Sequence, residues 1–138
     1  MILSRGVPLL LLLSACLGVS GCSIGCTAVG AASGVQVLVT GDAAVAEEDT
    51  RMDVTTCVRG HCPATAQDLA AGERPNFFVE APWVDSERPV EVQVTVHEGR
   101  RVVAGPVTLT VTPEVVQPNG PHCDPTEYVA TVEVAAHP

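Results

Sequence analysis

Residues 90–97 read Val90-Glu91-Val92-Gln93-Val94-Thr95-Val96-His97. Valine holds every second position, and a charged or polar residue stands between each pair. Side chains alternate faces along a strand, so this period of two predicts a β-strand with one buried and one wet face. Valine also favours a pleated sheet, because its branched side chain is stiff in a helix. Glu98-Gly99-Arg100 is the expected hairpin turn, and Arg101 to Ala104 is the returning strand. Gly105-Pro106 then bends the chain, after which Val107, Leu109 and Val111 alternate with Thr108, Thr110 and Thr112.

The same alternation recurs on both sides of this hairpin. Val35, Val37 and Val39 predict a first strand closed by Gly41-Asp42. Residues 43–51 are an acidic loop with room for a helical turn. Met52, Val54, Thr56 and Val58 predict a second strand, turned by Gly60. Thr65-Ala66-Gln67-Asp68 fits a capping box and predicts one short helix ended by Gly72. Asn76 to Glu80 is a short strand, and Pro82 to Pro89 is a loop carrying Trp83. Pro113 to Pro125 reads as a long loop, and Tyr128 to Val134 as the last strand. About seven short strands separated by turn signals predict an all-β domain: a single antiparallel β-sandwich over residues 34–138 with one short helix.

The chain has 138 residues and a formal charge of −9. Its seven basic residues are all arginine, and aromatic residues are few: Phe77, Phe78, Trp83 and Tyr128. Excess negative charge opposes binding to nucleic acid and to anionic head groups, so no nucleic-acid partner is expected.

Residues 1–21 differ in character from the rest. One early charge, Arg5, precedes an apolar run from Val7 to Leu13, and small residues follow. That order predicts a signal peptide, and the run is too short to span a bilayer, which takes about 20 apolar residues. Its exit, Val19-Ser20-Gly21-Cys22, resembles the lipobox of bacterial lipoproteins. The resemblance implies cleavage before Cys22 and a diacylglycerol on its thiol, and two acyl chains give durable membrane attachment. Removing Arg5 with the leader from a chain at −9 leaves a mature chain at −10. Residues 22–33 are small and uncharged and read as a lipid-anchored flexible tether. Leu13-Ser14-Ala15-Cys16 fits the same pattern. Cysteine parity favours Cys22, because lipidation there leaves four thiols and lipidation of Cys16 would leave five. The lipobox and the strand spacing together resemble small actinobacterial lipoproteins that carry one immunoglobulin-like or transthyretin-like sandwich. The immunoglobulin pattern is not complete: Trp83 lies too far after Cys57, and Tyr128 follows Cys123 rather than preceding it.

The remaining cysteines are Cys26, Cys57, Cys62 and Cys123. An exported chain is expected to oxidise them. Cys57-Val58-Arg59-Gly60-His61-Cys62 brackets a tight turn, so Cys57–Cys62 and Cys26–Cys123 are the expected disulfides. Loop entropy gives about 2 kcal/mol for the short bridge and about 5 kcal/mol for the long one. The repeated His61-Cys62 and His122-Cys123 pairs have the residue types of a zinc site but not its Cys-x-x-Cys or His-x-x-His spacing, so no metal is expected. Asp42, Glu47, Glu48, Asp49 and Asp53 lack calcium-loop spacing and read as a solvated loop. There is no Gly-x-Ser-x-Gly or His-Glu-x-x-His, and His97 stands on a polar strand face. Asp85, Glu87 and Glu91 are acids of an ordinary surface loop and strand. No catalytic residue, enzyme activity or cofactor is therefore expected. Trp83 is the candidate contact residue, since tryptophan is enriched at interaction hot spots, and a core plug is its alternative role.

These readings converge on a lipoprotein held at the extracytoplasmic face of the cell membrane. It is expected to be a monomer and to act as a binding or structural module toward an extracytoplasmic protein partner. The alternative is a metal- or small-ligand-binding lipoprotein serving a transporter or sensor.

Overall fold

The structure, a computed structural model, describes residues 30–138. The expected signal peptide, Cys16, Cys22 and Cys26 lie outside the described residues. Eight strands follow in chain order: β1 Gly34–Thr40, β2 Thr50–Val58, β3 Ala64–Leu69, β4 Asn76–Glu80, β5 Val90–Glu98, β6 Arg101–Val111, β7 Glu114–Val116 and β8 Glu127–Ala135. They form two four-stranded sheets, in the orders β4-β1-β8-β7 and β3-β2-β5-β6.

The valine alternation turns one face of each sheet inward. Val35, Val37 and Val39 of β1 are buried, as are Val92, Val94 and Val96 of β5, and Ala130, Val132 and Val134 of β8. Burying a valine contributes about 2 kcal/mol, so a core made from many small branched side chains replaces one made from rings. Phe77 is the one ring among the largest fully buried side chains, while Trp83 and Tyr128 pack on the core half-buried. Gly34 is fixed by a close approach. A Cβ there would lie 2.5 Å from the Val79 carbonyl oxygen of β4.

Four expectations are corrected. The capping-box segment is not a helix. Ala64–Leu69 is β3, antiparallel to β2 with Thr50 opposite Leu69 and Thr55 opposite Ala64. Six residues cannot sustain a helix on local signals, whereas the adjacent edge of β2 offers a full row of backbone partners. The only helical turn among the described residues is a 3-10 turn at Asp42–Ala44, inside the acidic loop. The sandwich is also not wholly antiparallel, because β1 runs parallel to β8, from Gly34 opposite Val129 to Thr40 opposite Ala135. The strands number eight rather than seven. Part of the expected 113–125 loop is β7, which pairs with the start of β8. Finally, Arg101–Ala104 and Val107–Val111 belong to one strand, β6. The bend between them is a bulge in which Gly105 and Pro106 stand against the single residue Thr95. Gly105 has φ +74 there, and a Cβ would lie 2.3 Å from the Val94 carbonyl oxygen, so only glycine fits.

Chain direction gives the sandwich two unlike ends. β1 begins, β2 ends and β5 begins at one end, since Gly34 pairs with Glu80 and Val58 with Val92. This end carries the 57–62 hairpin, the 81–89 loop with Trp83, and the 117–126 loop. The other end carries the acidic loop and the chain's last residues.

Candidate functional site

The 57–62 hairpin is built from its own turn outward. Val58 and His61 exchange both backbone hydrogen bonds, at 2.9 and 3.0 Å. Arg59 and Gly60 between them have φ 50 and φ 83. Positive φ at both central positions matches the right-handed twist of the flanking strands. Cys57 and Cys62 are joined by a disulfide across the hairpin, as expected.

The turn projects Arg59 and His61 onto the Trp83 loop. Arg59 Nη1 donates to the Trp83 carbonyl oxygen at 2.9 Å and meets Asp85 Oδ1 at 3.2 Å. The His61 ring lies on the Trp83 ring with centroids 4.6 Å apart and planes 31° apart. The guanidinium, chiefly through its hydrogen bond, holds the Asp85 carboxyl below its ordinary pKa. Trp83 is half-buried against the core, with its indole Nε1 buried and unpartnered among the described residues. Trp83 thus packs on the core with part of its ring surface and lies under His61 with another. Sequence reasoning missed Arg59. Nothing local distinguishes it from the other arginines, because its role depends on a loop 24 residues away.

The other singled-out residues are divided between the two ends of the sandwich and the strand faces. Cys123 is buried in the 117–126 loop, but the expected Cys26–Cys123 bridge involves Cys26, outside the described residues. His122, in the same loop, is exposed with φ 64. His97 is half-buried on the polar face of β5, opposite Asp53 of β2. Among the described residues, no three His, Cys, Asp or Glu side chains are grouped to hold a metal ion. The acidic loop is at the far end. There Asp42, Glu47, Glu48 and Glu98, with Arg101 and His137, line an open groove of about 810 Å³ above Met52. Glu87 and Glu91 are exposed, and Asp85 is engaged by Arg59 rather than paired with another carboxylate.

In chemical terms, the disulfide end presents a braced aromatic and polar surface. Among the described residues, no helix is long and apolar enough to cross a membrane. No protein-family model matches the chain, and it has no match among curated proteins or among solved structures.

Proposed function

We propose that this chain is a bacterial lipoprotein, anchored through Cys22 at the extracytoplasmic face of the membrane, whose β-sandwich is a binding or structural module. The observation that carries this reading is Val19-Ser20-Gly21-Cys22 at the exit of a charged, then apolar, then small leader. The Cys57–Cys62 disulfide supports it, since such bridges persist in oxidising, exported surroundings. The resemblance to immunoglobulin-like or transthyretin-like sandwiches narrows in the same reading. An immunoglobulin domain pairs its first strand with its second. Here β1 lies between β4 and β8, which favours the transthyretin-like kind. The surface assigned to partner contact is the Trp83 loop with Arg59 and His61, where Arg59 holds the loop at the Trp83 carbonyl and at Asp85 while His61 lies on the ring.

The test is a fractionation of cells producing the full chain. Cys22→Ala is expected to leave the membrane fraction or to retain its leader, while Cys16→Ala behaves as the parent. Mass spectrometry that finds the lipid on Cys16, or finds no lipid at all, overturns the assignment.

A further inference from the structure

β6 is an edge strand of its sheet, and β5 is its one neighbouring strand among the described residues. Its first half is covered. Ala104 bridges to Ala136, and His137 donates its backbone N–H to the Val103 carbonyl oxygen at 2.7 Å, with its Nε2 2.7 Å from the Gly105 carbonyl oxygen. Its second half, Val107-Thr108-Leu109-Thr110-Val111, has no strand on its outer side among the described residues. An open row of backbone donors and acceptors is a template for another strand, and folded proteins usually guard it with charge, proline or a cover. The other three edge strands each carry an acid: Asp68 on β3, Glu80 on β4 and Glu114 on β7. The open half of β6 carries none, and Pro106 and Pro113 bound it without interrupting it.

We propose that this edge pairs antiparallel with the same edge of a second copy of the chain, about a two-fold axis through Leu109. The segment is self-complementary in that register. Val107 stands opposite Val111 of the second copy, Leu109 opposite Leu109, and Thr108 opposite Thr110. All three apolar pairs fall on the core face and both threonine pairs on the outer face, the pairings that stabilise a sheet. A shift of one residue along either strand sets apolar side chains against threonine. A two-fold through Thr110 keeps the faces but brings Pro113 opposite Val107 and loses an apolar pair.

Burial and charge point to the same occupant. Val107, Leu109 and Val111 face the core yet are only half-buried, because the opposing sheet ends in the three-residue β7. Val115 and Val116 of β7, which follows β6 in the chain, are 41% and 37% exposed. A second copy covers this flank. The domain is strongly acidic, so two copies repel each other at most of their surfaces, and this uncharged strip is where they can meet. Five paired residues make a small interface, so the dimer is concentration-dependent. This departs from the monomer expected from the sequence, since a domain that folds alone can still pair at an edge. The pairing does not depend on how the chain is anchored.

Disulfide trapping in the full chain tests the register. Residues directly opposite lie about 5 Å apart, within reach of a disulfide, and their diagonal neighbours about 8 Å apart, beyond it. Thr108 and Thr110 are exposed, so cysteine is tolerated at both. Thr108→Cys and Thr110→Cys chains, differently tagged and produced together, are expected to cross-link to each other at least ~10-fold more than either does to itself. Leu109→Lys added to both chains, which sets two ammonium groups opposite each other at the axis and lets each stem reach solvent from this half-buried position, is expected to abolish the mixed dimer while leaving the far-ultraviolet circular dichroism unchanged. Equal trapping of mixed and like pairs, or a mixed dimer that survives Leu109→Lys, overturns the proposal. So does the absence of trapping in both membrane and soluble fractions. Where the chain fractionates is a separate readout, so failure of the anchor assignment is distinguished from failure of the pairing.

Discussion

Thr56 Oγ1 is buried in the core face of β2 with no hydrogen-bond partner among the described residues. Its side chain stands in the row Met52, Val54, Thr56, Val58, where every neighbour is apolar. A buried hydroxyl without a partner costs its desolvation and returns nothing. Thr56→Val keeps the shape and removes that cost, so it is expected to be neutral or to stabilise by about 1 kcal/mol, read as a shift in denaturant midpoint at constant m. A loss of stability would mean the hydroxyl has a partner. Asp85 gives a second prediction. Arg59 depresses its pKa in the folded protein, so their contact favours the fold above the unfolded carboxyl's pKa. That contribution fades as pH falls through the lowered folded value. A carbon-detected NMR titration is expected to place the Asp85 carboxyl below the ordinary value for an aspartate, and Arg59→Gln to raise it toward that value. An unchanged titration in Arg59→Gln would remove the arginine as the cause.

At the scale of elements, what was legible depended on how much of each strand's identity lay in its own residues. β5 declares itself, with four valines at period two, and all four are buried. β1, β2 and β8 carry the same alternation in their own residues. β3 was not, because Ala64-Thr65-Ala66-Gln67-Asp68-Leu69 has no strong preference and carries a helix-start pattern. It is a strand because the disulfide-closed hairpin returns it alongside β2, a cause that lies in pairing. β7 is three residues long and too short for any period to appear. The one-sided nature of β5 is directly testable. Val94→Asp puts an unpaired carboxylate into the apolar layer and is expected to unfold the domain, a cost of several kcal/mol and more than about 4. Gln93→Asp, one residue away on the exposed face, is expected to stay within about 0.5 kcal/mol. Equal shifts in thermal midpoint would show that β5 is not one-sided.

For the whole molecule, the sandwich was legible but its polarity was not. Cys57, Cys62, Trp83, His122 and Cys123 are scattered over 67 positions of sequence, yet topology gathers all of them in the loops at one end. The acidic residues from Asp42 to Asp49 go to the other, because β1 and β2 meet there. Ser33, at the entrance to β1, is held at the disulfide end. Its buried hydroxyl donates to Glu127 Oε2 at 2.5 Å and accepts from the Tyr128 N–H at 3.0 Å. If Cys22 carries the lipid, eleven residues link the anchor to this fixed point and reach at most about 40 Å when fully extended. The anchor therefore pulls on the disulfide end, and charge acts in the same direction, since the acidic end is repelled by anionic head groups. The disulfide end is expected to face the bilayer and the acidic groove to face away. Energy transfer from a fluorophore to acceptor-labelled lipids measures this in the anchored full chain. Glu87→Cys, in the exposed Trp83 loop, is expected to transfer more efficiently than Glu48→Cys in the acidic loop, and high salt is expected to narrow the difference by screening the repulsion. Equal transfer from the two labels at low salt would mean that the domain tumbles on its tether. Stronger transfer from position 48 would mean that partner contact at Trp83 points outward, away from the membrane.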